Sequence, residues 1–185
     1  MKNATEKQEA IPMRSDSKIF KVSEGDVFDI PMNDRFAFIG QVLHIRGLRI
    51  FVVVFDHLVD RPTDIDEARN AMRHLPIVTS WTVDARFRPG MWTFVTNATA
   101  DRRELLPAFT WGFPETGGVR VTSFDETKTR YATAEEAASI PRRITRSPML
   151  IEHFLLMHAG IKRHDPALDE VRYTPVPSSA ELFDK

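Results

Sequence analysis

The spacing of hydrophobic positions changes along this chain, and each change marks an element. Residues 1–18 mix Lys, Glu, Gln, Ser and Pro with little apolar periodicity and are expected to form a flexible leader. Polar and apolar residues then alternate over 25–31, with Phe28 and Ile30 on one face and Pro31 closing the segment, which predicts a strand. A turn signal at Asn33-Asp34 and a second alternating stretch over 35–43 predict a β-hairpin. After a break at Arg46-Gly47, residues 50–55 form a continuous β-branched and aromatic run, IFVVVF, the pattern of a strand buried on both faces.

Helical spacing follows. Thr63 is placed to cap a helix with Asp64 and Asp66 in its first turn, Ile65, Ala68, Met72 and Leu75 recur on one side, and Pro76 ends it. Residues 77–83 read as a strand, Arg88-Pro89-Gly90 as a turn and residues 92–95 as another strand. A polar connection over 97–108 leads to short strands near 109–113, 119–121 and 128–132. Gly117-Gly118 belongs to a turn between them rather than to a ligand loop. Thr133 with Glu135 and Glu136 predicts a helix that stops before Pro141. Ser147-Pro148 opens another, with Leu150, Ile151, Phe154, Leu155 and His158 along one stripe and Gly160 at its end. Residues 161–185 show little period and are expected to be an irregular C-terminal tail. The layout is an α+β domain over residues 19–160: a curled, mainly antiparallel sheet of about six to eight strands with one inserted helix and two C-terminal helices.

Composition narrows what such a domain does. A chain of 185 residues buries a core without a metal or disulfide staple. Its 25 Lys+Arg against 26 Asp+Glu, a formal net charge of −1, exclude a surface that is basic throughout, so no direct nucleic-acid partner is expected. The absence of Cys excludes thiolate nucleophiles and Cys-ligated metals and agrees with a reducing, cytoplasmic location. No apolar run approaches the ~20 residues that cross a bilayer, and the first 24 residues lack the apolar core of a signal peptide. No membrane partner is expected.

Catalytic signatures are missing: there is no Gly-x-Ser-x-Gly, no phosphate-cradling Gly-x-x-x-x-Gly-Lys and no Gly-x-Gly-x-x-Gly. Neither catalytic residues, a cofactor nor a metal is expected. His153 and His158 are five apart, which turns them about 140° from each other on a helix. His153 reads as solvated, His158 as a histidine at the edge of a core, and His164 falls in the tail. Asp56-His57 follows a buried strand, where sites often lie, but has no partner spacing. Asp64, Glu67, Glu135 and Glu136 suit first helical turns, and Asp26 and Asp29 suit a strand-entry turn. Arg142, Arg143 and Arg146 would meet phosphate or an acidic partner unless neighbouring glutamates neutralise them. Of Trp81, Trp92 and Trp111, two are expected in the core and one at an interface.

Several strings occur in a telling order. Gly25-Asp26-Val27-Phe28-Asp29-Ile30-Pro31 is followed by Phe36-Ala37-Phe38-Ile39-Gly40-Gln41-Val42, and later by Pro76-Ile77-Val78 after a helix. Then come Gly90-x-Trp92 with a strand ending at Asn97, Leu106-Pro107-x-Phe109, Arg130-Tyr131-Ala132-Thr133-x-Glu135-Glu136 and an Ile151-Glu152 helix. This series, over about residues 19–160, resembles the immunity protein 26 family of bacterial polymorphic-toxin and contact-dependent competition loci. The resemblance implies a protein without catalysis of its own that binds and neutralises a cognate toxin C-terminal domain, nucleases being one such class. Gly25, Asp26, Phe28, Ile30, Pro31, Gly40, Trp92, Phe109 and Glu152 read as packing and turn positions of the motif. The connection at 97–103, the loop at 113–118, the leader and the tail depart from the family pattern.

A blocker of basic nuclease clefts would present acids. Asp56, His57, Asp60, Asp64, Asp66 and Glu67, set against Arg61 and Arg69, form the expected toxin-binding surface; an ordinary solvated helix face is the alternative. Two other function classes stay open, a small-ligand-binding or regulatory β-rich domain and a hydrolase using Asp56-His57. The apolar stripe of Ile151, Phe154 and Leu155 is buried equally well within a monomer or in a homodimer.

Overall fold

The computed structural model describes residues 21–88 and 90–184, so the leader expected over residues 1–18 lies outside the described residues. Strands β1 (Asp26–Pro31), β2 (Phe36–Arg46) and β3 (Arg49–Asp60) form a meander, and α1 (Ile65–Ala71) leads to β4 (Pro76–Val83) and β5 (Thr93–Asn97). These five strands make one open antiparallel sheet in the order β4-β3-β2-β1-β5. Strands β6 (Phe109–Trp111), β7 (Arg120–Thr122) and β8 (Thr129–Tyr131) make a second, smaller antiparallel sheet. Helices α2 (Ala134–Ser139), α3 (Pro148–His158) and α4 (Ser179–Phe183) follow. The class is α+β as expected, with the strands divided between two sheets.

The large sheet is covered on both sides. Side chains alternate along a strand, so the apolar run of β3 sends Ile50, Val52 and Val54 one way and Phe51, Val53 and Phe55 the other, all buried. The first set packs with Phe28, Ile30 and Phe38 under Ile151, Phe154 and Leu155 of α3. The second packs with Val27 and Ile39 under Ala68 and Ala71 of α1 and against Phe109 and Phe124 of the small-sheet region. A third cluster, Ala108, Val121 and Ile140 with Leu182 and Phe183, fills the inner side of the small sheet. The stripe of α3 is thus buried within the chain.

Local signals set most element ends, with some displacements. Ser147 Oγ accepts from the Met149 amide at the start of α3, and Thr133 and Glu136 form a capping box on α2. The cap of α1, however, is Asp64, whose carboxylate accepts from the Glu67 amide at 2.8 Å. Thr63 turns its hydroxyl to the Asp29 carboxylate and the Asp60 carbonyl instead. The helix stops at Ala71 and leaves Leu75 exposed, because the chain must turn back to lay β4 beside β3. Strand β3 runs on to Asp60, so Asp56, His57 and Asp60 lie within the strand. Pairing of Ala37 with Val59 and of Phe36 with Asp60 carries the hairpin past the apolar run.

Residues 161–184 are irregular only in part. A 3-10 turn spans Pro166–Val171, capped by Asp165, and α4 starts with a Ser178/Glu181 capping box. Val171 is buried, and the Tyr173 amide donates to the Ile77 carbonyl at 2.8 Å. Short turns with their own caps carry no long apolar period, so this order comes from docking rather than from an amphipathic face.

Candidate functional site

The motif residues serve the frame. Gly25 has φ +88°, and a Cβ there would collide with the Ala98 carbonyl oxygen. Beside it Asp26 accepts from the Ser23 amide at 2.7 Å and from Asn97 Nδ2 at 3.0 Å, tying the start of β1 to the end of β5. Phe28 lies flat on Trp92, with ring centroids 5.1 Å apart. Gly40 is the space for that ring, since a Cβ at 40 would sit 2.5 Å from Phe28 Cζ. Glu152 joins α3 to this cluster, accepting from Trp92 Nε1 at 3.0 Å and from Arg86 Nη2 at 2.9 Å. Ile30 is buried beneath α3, Pro31 ends β1 opposite Ala37, and Phe109 is buried in the second core. Asp29, also buried, accepts from the Thr93 amide and pairs with Arg61 at 3.4 Å.

The acidic stretch divides. Asp56 Oδ1 lies 2.8 Å from Nε2 of His158 on α3. His57 stacks on His74 beyond α1, at 4.2 Å between centroids, on the opposite side of the strand. Asp64 is occupied by the helix N-terminus, and Asp66 forms an exposed pair with Arg69. His57, Asp60 and Glu67 do come together, lining one shallow depression with Asn70. Among the described residues no group of three or more His, Asp or Glu is arranged to hold a metal ion.

A second candidate lies on the small sheet. Its register sets Trp111 opposite Arg120 and Arg120 opposite Tyr131, with Phe109, Thr122 and Thr129 as the next row. Alternation puts both rows on one face. Thr110 and Val121 point the other way, and the Thr110 hydroxyl donates to the Ile140 carbonyl at 2.9 Å. Trp111 and Tyr131 are 50% and 62% exposed. The Arg120 guanidinium lies over both rings, 5.6 and 4.6 Å from their centroids, and donates to Tyr131 Oη at 3.2 Å. Next to them Arg142 covers exposed Phe113 at 4.3 Å and donates to the Gly112 carbonyl. Trp81 and Trp92 are buried and Trp111 is half exposed, two in the core and one at the surface.

This face opens into a cleft of about 410 Å³ lined by Phe109, Trp111, Thr122, Thr129, Glu126 and Arg143. At its end the Glu126 carboxylate pairs with both Arg46 and Arg143. Arg143 spreads over the rings of Phe109 and Trp81, at 4.6 and 5.5 Å, and donates to the Phe124 carbonyl. Burial, and then the nearby charges of Arg46 and Arg49, hold its pKa below the usual arginine value. Of these groups the sequence singles out Arg142, Arg143 and Trp111. Tyr131 enters only within the quoted series of strings, and Arg120 and Glu126 are given no role, because strands of three residues are too short to show a period and their register is a long-range property.

Comparison of the chain with protein-family models, with curated proteins and with solved structures finds no match. No helix among the described residues is long and apolar enough to cross a membrane.

Proposed function

We propose that this chain is a binding protein that neutralises a cognate toxin domain in the cytoplasm by docking on it, without chemistry of its own. The observation that carries the reading is the row of Trp111, Arg120 and Tyr131 on the outer face of the small sheet. Trp, Tyr and Arg are the side chains that concentrate binding energy at protein interfaces. Here they stand on paired strands with the guanidinium already held between the rings, so little conformational freedom is left to lose on binding. The ordered series of residues that resembles immunity proteins supports the same reading. Docking is placed on the small sheet rather than along residues 56–67, where Asp56, Asp64 and Asp66 already have partners within the chain.

Co-expression tests this. The C-terminal domain of a toxin whose gene adjoins this one should arrest cells alone, and the wild-type chain should restore growth. Trp111→Ala with Tyr131→Ala should fail to do so while remaining folded. Arrest that persists with the wild-type chain present overturns the reading.

A further inference from the structure

We infer that the cleft between Trp111 and Arg143 receives a carboxylate from the partner, and that Glu126 is an internal stand-in which the partner displaces. This rests on the docking reading and names the chemistry of the segment that docks: an Asp or Glu next to an apolar side chain.

Charge is unbalanced at this end of the small sheet. Arg46 and Arg143 share the single carboxylate of Glu126, and Arg49 lies over Trp81 at 5.7 Å. Among the described residues no carboxylate is within ion-pair distance of Arg49 or Arg120. One acid therefore faces a group of cations that has capacity for a second, or for a better placed first. Arginine forks match carboxylates in plane and in spacing, and Glu126 demonstrates that match.

Glu126 is seated at a conformational cost. It is the one non-glycine with positive φ among the described residues, at +63°, a region a β-carbon disfavours. The turn that holds it does not depend on its carboxylate. Asp125 accepts from Ser123 Oγ, the Thr127 amide and Thr127 Oγ1, and the Glu126 amide donates to the Ser123 carbonyl at 2.9 Å. The Glu126 side chain is 39% exposed, so it can swing out while the turn stays closed. Phe109 and Trp111 then offer an apolar wall, and the Thr122 and Thr129 hydroxyls, 2.9 Å apart, a polar floor. Arg143 lines one end of the cleft and Arg46 meets it there through Glu126, a point where a single carboxylate fits. A nucleic-acid strand would instead need cations tracking along a groove.

Two labelled probes test the inference by fluorescence anisotropy: a peptide of alternating Glu and Leu, and a short oligothymidylate. The wild type should bind the peptide measurably. Glu126→Gln, which keeps the turn and removes the competing charge, should tighten it about fivefold, and Arg49→Ala should weaken it about fivefold. Glu135→Gln should change nothing. No peptide binding by wild type and Glu126→Gln alike, or Glu126→Gln binding no tighter than wild type, overturns the inference. So does oligothymidylate binding more tightly than the peptide, which reassigns the cleft to nucleic acid. Growth rescue separates the two readings. Peptide binding with these responses but no rescue retires the toxin reading alone, and rescue without the Glu126 and Arg49 responses retires the pocket alone.

Discussion

The two sheets use the same kinds of side chain for different ends. In the large sheet Phe28, Phe87 and Trp92 close over one another beneath α3, and the one arginine at their edge, Arg86, is paired with Glu152. In the small sheet Trp111 and Tyr131 face solvent with Arg120 between them and, among the described residues, no ion pair to a carboxylate. Both faces of the large sheet are covered, whereas the small one is covered on its Val121 side and, on the other, only at the Phe109 and Thr122 end. An aromatic residue inside the first lowers the free energy of folding. One on the second adds little to folding and is available for binding. If partners dock as proposed, stability and recognition fall to separate layers, and changes in one should leave the other largely intact.

The separation can be broken at graded cost. Trp92→Ala should destabilise the chain by about 4 kcal/mol, read from urea unfolding, because it opens a cavity beside Phe28 and removes one of the two donors to Glu152, leaving only Arg86. Gly40→Ala should cost about 2 kcal/mol by forcing the Phe28 ring from its place. A wild-type urea midpoint for Gly40→Ala would mean the large-sheet core is more yielding than described. On the small-sheet side, Thr133→Ala should cost about 1 kcal/mol through the lost α2 cap.

Acid acts at the same point. The bidentate Arg130 pair, and then the Thr133 amide, lower the pKa of Glu136 to about 2. A carboxyl lowered on folding contributes stability above its unfolded pKa and loses it as the pH falls through the folded value. The difference in stability between wild type and Glu136→Gln should therefore be full near neutrality and vanish as the pH falls through about 2. The smallest stability change is expected at Trp111→Ala, within about 0.5 kcal/mol, although that variant should lose rescue. A Trp111→Ala chain that unfolds as readily as Trp92→Ala would erase the distinction between the sheets.

How much of this can be read from sequence follows the range of the interactions. The run at residues 50–55, the caps at Thr133 and Ser147 and the turn at Asn33-Asp34 are local, and they place strands and helices correctly. Gly40 is recognisable as a motif residue, but its reason is Phe28 on the neighbouring strand. The acidic cluster at residues 56–67 looks continuous along the chain, yet strand alternation sends Asp56 and His57 to opposite sides and a helix N-terminus takes Asp64. The Trp111–Arg120–Tyr131 row depends on two registers between strands of three residues each, and Glu126 meets Arg46 across some eighty positions of sequence. Contacts of that kind have no periodic trace.

The segment after the 3-10 turn touches both sheets. The Tyr173 amide binds the Ile77 carbonyl on the large sheet, the Ser179 amide binds Leu106 ahead of the small one, and Leu182 and Phe183 pack on the small sheet's inner side. A strap attached at both ends couples their fluctuations. The small sheet cannot lift away without also releasing the outer edge of β4, so the amides of Tyr173, Ser179 and Thr110 should exchange with solvent hydrogen through one shared opening. In kinetic terms, the exposed face carrying Trp111 and Tyr131 is as long-lived as the interval between those openings.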